Sequence, residues 1–236
     1  MTYPNAPIRE AVFDIRIEEL QNKSLEDFKH FQDILKGKYD NQRVVNSYEG
    51  TFTLDSRTID SSHFFQGIVL VNENKNKQVQ FRINGFTLNY LYPYSNWNEF
   101  RDEAFSLYEL FTNTFSDIKV ERIALRYINR ISIPLPFEDF EQFVVSTPPV
   151  PQNMSKMYKS FFSQVEIPCE DPDYTAVITS TIETKTKDIV PYILDIDVYK
   201  EVTGKFEFDD FEYLRKIKNK IFESSITDKT RKLFNK

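Results

Sequence analysis

Arg122, Arg126 and Arg130 stand four residues apart in the run VERIALRYINRISI. Residues an even number apart in a strand share a face, so three guanidinium groups point one way. Ile123, Leu125, Tyr127 and Ile131 point the other. By the same period Arg82 opposes an apolar set in residues 78–84, and Asp195 and Asp197 alternate with Leu194, Ile196 and Val198. Gathered on one sheet face, Arg82, Arg122, Arg126 and Arg130 would suit an anionic small molecule such as a nucleotide. Each guanidinium offers forked donors that match phosphate or carboxylate. Asp195 and Asp197 belong to the same candidate ligand-binding set. A second reading of these residues is a ladder of cross-strand ion pairs, worth a few tenths to about 1 kcal/mol each. A third gives Asp195 and Asp197 a divalent metal and makes the chain a hydrolase or nuclease. Neighbouring arginines keep such carboxylates ionised, which disfavours a general acid. Tyr90, Tyr92 and Tyr94, in NYLYPYSNW, flank a proline at a strand-to-helix corner and are candidates for contact with a partner.

Other chemistry is hard to find. His30 and His63 are isolated, and no His/Cys cluster has metal-ligand spacing. There is no GxxxxGK[ST], GxGxxG or GxSxG. Cys169 sits in IPCEDPD, where neighbouring carboxylates raise a thiol pKa and make a poor nucleophile. Glu170, Asp171 and Asp173 read as a solvated turn before they read as metal ligands. No catalytic residue, metal or cofactor is predicted.

The elements that must position these residues follow from periodicity. Residues 8–18 alternate as a half-buried strand, with Ala11, Phe13, Ile15 and Ile17 on one face. Ser24 caps a helix that buries Leu25, Phe28, Phe31 and Leu35 and ends at Gly37. Strands follow at 43–54, 64–72 and 78–91. Asn84-Gly85 suggests either a hairpin or a bulge in one long strand, and repeat symmetry favours the bulge. Asn96 or Ser95 caps a helix with Trp97, Phe100, Ala104, Leu107, Phe111 and Phe115 on its apolar face. The second half opens with the strand from Val120, ended by Pro134 and Pro136. A short helix over 137–144 and a loop over 146–153 come next. Strands are predicted at 157–167, 174–183 and 192–200, then a helix over 209–224 with Phe211, Leu214, Ile217 and Ile221 on its stripe. Thr227 caps a last helix ending at Phe234.

LEDFKHF and FEDFEQF lie 112 residues apart, each after one strand and before three more. The prediction is an α+β fold. Two β-α-β-β-β-α pseudo-repeats, about 1–117 and 118–236, form one mostly antiparallel sheet or partial barrel, with the long helices packed on one face of a single domain.

Bulk composition narrows the function. A net charge of −6 argues against a duplex-binding domain. Only the stretch from Glu212 onward is basic, with 8 Lys/Arg against 3 Asp/Glu, as suits a helix end. Five glycines leave little for glycine-rich cofactor loops. One cysteine excludes an intrachain disulfide and fits a reducing compartment. MTYPNAPIREAVF lacks the pattern of a signal peptide, and no apolar run approaches the roughly 18 residues of a membrane span. The expected location is the cytoplasm, with no membrane partner.

The segments NAPIREAVFDIRI, FRINGFTLNYLYPYSNWNEFRDEA, RIALRYINRISIP and FESSITDKTRKLF together resemble a sporadically distributed family of uncharacterised bacterial proteins. The resemblance runs through nearly the whole chain and implies no activity, cofactor or catalytic residue. The family pattern has Arg after Asn89 where this chain has Tyr90, which weakens an anion site. Sporadic distribution implies an accessory system, including phage defence or toxin–antitoxin functions. The acidic charge, the missing catalytic signatures and the aromatic surplus make the leading expectation a non-enzymatic binding or interaction module that engages another protein or its own copy as a homodimer. The alternatives are the anion sensor and the metal-dependent hydrolase.

Overall fold

A computed structural model describes residues 3–53, 58–151, 153–155 and 157–235. Nine strands and four α-helices are formed among them, so the fold is α+β. In chain order these are β1 (Ile8–Ile17), α1 (Leu25–Ile34), β2 (Asn41–Thr53), β3 (Thr58–Val71), β4 (Lys77–Arg82), β5 (Gly85–Leu91) and α2 (Trp97–Thr114). Then come β6 (Val120–Pro134), a 3₁₀ turn (Phe140–Gln142), β7 (Phe162–Pro168), β8 (Tyr174–Ile182), β9 (Ile189–Glu201), α3 (Asp209–Ser225) and α4 (Asp228–Phe234). Leu54, at the end of an expected strand, lies outside the described residues.

The chain forms two compact units. The first comprises Phe13–Leu91 and Ser95–Glu121. Its strands lie in the order β2-β3-β4-β5, with residues 13–17 of β1 beside β5. The β2–β3, β3–β4 and β4–β5 pairs are antiparallel. Helix α1 packs on β3 and α2 on β5. The expected stripe of α2 is buried as read, and it meets Phe13, Phe81 and Phe86 of the sheet. Phe31 of α1 stacks on Phe81 with ring centroids 4.0 Å apart. Phenylalanine dominates this core because each ring buries a large apolar area while tolerating several packing angles. The helix ends are satisfied locally. The Asp27 carboxylate accepts from the Ser24 N–H at 2.9 Å, and Asn96 accepts from the Glu99 N–H at 3.0 Å.

The second unit comprises Met1–Val12, Tyr92–Tyr94 and Arg122–Lys236. Its order runs from residues 8–12 of β1 through β6, β9 and β8 to β7 at the edge. The pairs β6–β9, β7–β8 and β8–β9 are antiparallel. Helix α3 packs on β9.

Four expectations are corrected. The bulge at Asn84-Gly85 is a hairpin: Phe81 pairs with Phe86 and Arg82 with Gly85. Ile83 and Asn84 make the turn, and Gly85 opens β5. A Cβ there would lie 2.4 Å from the Ile15 carbonyl oxygen, so glycine serves close strand approach. The helix expected over 137–144 is only the 3₁₀ turn at Phe140–Gln142. The strand expected from residue 157 begins at Phe162. On α3 the buried stripe is Phe211, Leu214, Lys218 and Phe222 rather than one through Ile217 and Ile221, so it carries a lysine inward.

Candidate functional site

The arginine row forms as its spacing predicts, and β9 supplies acids opposite it. In register Arg126 faces Asp197, and Ile128 faces Asp195. Arg122 Nη2 donates to Asp197 Oδ2 at 3.0 Å. Arg126 grips Asp195 with both prongs, Nε to Oδ1 at 2.8 Å and Nη2 to Oδ2 at 2.5 Å. Arg130 Nε donates to Glu183 Oε2 at 2.8 Å. The Arg122 guanidinium also lies 4.3 Å from the centroid of the Tyr199 ring. The hydrogen bond that Arg126 donates to Asp195 raises the Arg126 pKa further, against the opposing effect of burial. The forks that would hold an anion are thus engaged by the chain's own carboxylates. The same contacts occupy the two acids that a hydrolase would use.

Arg82 belongs to the first unit. There its Nη2 donates to Asp14 Oδ1 at 3.1 Å, and the Thr87 hydroxyl donates to the same oxygen at 2.5 Å. The tyrosines of the corner go three ways. Tyr90 is buried, and its hydroxyl donates to Glu103 and accepts from Lys77 Nζ at 2.7 Å. Tyr92 is 61% exposed, with Arg9 stacked on its ring at 4.8 Å. Tyr94 is half-buried and shares a 2.9 Å hydrogen bond with the Tyr127 hydroxyl.

Two buried charges were missed by sequence reasoning. Glu103, on the inner face of α2, accepts from Tyr39 at 3.1 Å, from Lys77 at 2.9 Å and from Tyr90, and pairs with Lys38 at 2.6 Å. Burial acts to raise its pKa, but hydrogen bonds from Lys38, Tyr90 and Lys77 outweigh burial and hold it down to about 2. Lys218 is 8% exposed, with Nζ 3.6 Å from the centroid of the Tyr127 ring. Burial, with the Arg215 charge beside it, lowers its pKa to about 7 against the pull of Glu223. Burial and Tyr94 push the Tyr127 phenol well above its ordinary range. Both positions carry a readable signal: a charged residue three or four places from apolar neighbours on a buried stripe.

Edge strand β7 is the third feature. Its register places Val165 in a row with Ile178, Ile196 and Tyr127, and Ile167 in a row with Ala176, Val198 and Leu125. Tyr127, Ile196, Leu125, Val198 and Ala176 are buried and Ile178 is half-buried, yet Val165 remains 48% exposed and Ile167 44%. Phe162, on the other face, is 69% exposed. The apolar face therefore runs on past the helix that covers it. Pro168 has no N–H, and the Cys169 N–H donates to the Tyr174 carbonyl at 2.8 Å. Antiparallel alternation then turns the N–H groups of Phe162, Gln164 and Glu166 away from β8. Among the described residues no group bonds to them.

Burial, followed by the charge of Asp171, raises the Cys169 pKa. Among the described residues no group of three or more His, Cys, Asp and Glu is placed to hold a metal ion. No helix among them is long and apolar enough to cross a membrane. Comparison with protein-family models and with curated proteins finds no match.

Proposed function

We propose that this chain is a non-enzymatic binding module that takes a partner by strand addition at β7. The observation that carries this reading is the exposed β7 edge, which combines unbonded backbone donors with Val165, Ile167 and Phe162 in solvent. Main-chain hydrogen bonds from an added strand supply affinity, and alternate side chains supply selectivity. Soluble proteins usually blunt such edges with charge, bulges or cover. Here β7 carries one charged residue, Glu166, whose carboxylate accepts from the Tyr199 hydroxyl at 2.6 Å. The arginine row acts as an internal ladder that stiffens the sheet behind this edge. The two halves read as pseudo-repeats, because in each the first strand lies beside the last: β1 beside β5, and β6 beside β9. An accessory role, as the family resemblance implies, suits a module of this kind.

The test is residue-resolved amide hydrogen exchange on the assembly isolated gently from its host. The Ser163, Val165 and Ile167 amides face β8 and exchange slowly in every state. We expect the Phe162, Gln164 and Glu166 amides to be slow only in the assembly. Fast exchange at all three in the assembled protein would remove this reading.

A further inference from the structure

Resting on strand addition at β7, we infer that the added strand is β7 of a second copy, paired antiparallel about a two-fold axis at Val165. A closed pair requires a surface that complements itself. In this register Val165 meets Val165, Gln164 meets Glu166, Ser163 meets Ile167, and Phe162 meets Pro168. Gln164 and Glu166 are outward-facing residues, so they exchange N–H···O bonds on both sides of the axis. The Phe162 N–H reaches the carbonyl of the second copy's Pro168. Pro168 donates nothing in return and ends the ladder.

Charge excludes the register centred on Glu166. Glu166 is the one charged residue of β7. A pair centred on Glu166 would place two carboxylates face to face, which is destabilising. Centring on Val165 sets each carboxylate opposite an amide. The side chains agree with this choice. The row Tyr127–Ile196–Ile178–Val165 gains the second copy's Val165 as its next member, so the half-exposed end of a core row becomes an interior position. Two molecules of net charge −6 thus meet along a strand that is nearly free of charge.

The test uses the full chain with Cys169→Ser, which removes the native thiol. A Val165→Cys substitution in that background puts two thiols at a non-hydrogen-bonded antiparallel pair, about 4.5 Å apart at Cα, within disulfide range. Mild oxidation should link the chains about ten-fold faster than a Tyr92→Cys control in the same background, because association raises the effective thiol concentration. Mixing Ser163→Cys chains with Ile167→Cys chains should give the mixed dimer in preference to either self-linked dimer. Cross-linking of Val165→Cys no faster than the control overturns the inference. If the β7 amides are nevertheless protected in the native assembly, strand addition stands and the partner is another protein. If they are also unprotected, both readings fall.

Discussion

Glu103 and Lys218 are both ionisable side chains on the buried stripe of a helix, and their surroundings treat them in opposite ways. Glu103 receives two tyrosine hydroxyls and two lysine ammonium groups, and remains ionised far into acid. Lys218 has the face of Tyr127, and no described carboxylate pairs with it. Its ammonium is close to losing its proton at neutral pH. Burial penalises charge in both places. The supply of partners decides whether the charge survives, and therefore whether the residue stabilises the fold or costs it free energy.

Three substitutions break or sharpen this contrast. The largest expected effect is at Glu103. Replacing it by Leu strands the buried Tyr39 and Tyr90 hydroxyls and the Lys77 ammonium, and should cost about 3 kcal/mol, read as a fall in the urea midpoint. Its folded pKa lies below the unfolded value of 4.5, so its contribution is complete above pH 4.5 and is lost as pH falls towards about 2. The variant should lack that component of acid sensitivity. An unchanged midpoint near neutral pH would contradict the network's role.

Lys218→Met should act in the opposite direction. The folded pKa of about 7 lies below the unfolded 10.5. Between those values the unfolded chain binds more protons, so wild-type stability rises with pH across that window. Below pH 7 the penalty is present in full, and the methionine variant should be more stable by about 2 kcal/mol at pH 6. Its advantage should shrink as pH rises towards 10. A lower denaturation midpoint than wild type at pH 6 would mean that the ring contact outweighs desolvation.

The smallest effect is expected at the ladder. Arg126 is partly exposed, and Arg126→Ala should change stability by about 1 kcal/mol or less. A loss of several kcal/mol in thermal or urea unfolding would put the ladder in the same class as Glu103.

Much of this molecule is legible in its sequence where one period governs a whole element. The alternation of β1 and β6 and the stripe of α2 were readable because each apolar residue meets the same kind of neighbour. The arginine row was readable for the same reason. Its occupation by Asp195, Asp197 and Glu183 was not, because strand register is a tertiary property. Repeat symmetry misled at Asn84-Gly85, where turn chemistry was the better guide. Lys218 and Glu103 were hidden by residue type, since charged residues are normally assigned outward. Val165 and Ile167 posed the reverse difficulty. Their alternation is that of a half-buried strand, and only strand order reveals that β7 has no neighbour on its outer side among the described residues.

The half-titrated amine on α3 also leaves a mark in calorimetry. At pH 8, between the folded and unfolded pKa values, each chain that unfolds takes up a proton at Lys218. The buffer gives up that proton, so the heat recorded on melting includes the buffer's own ionisation enthalpy. An amine buffer such as Tris, which ionises with a large heat, inflates the apparent unfolding enthalpy, whereas phosphate leaves it almost untouched. The two traces differ for the natural chain and coincide once position 218 can no longer titrate.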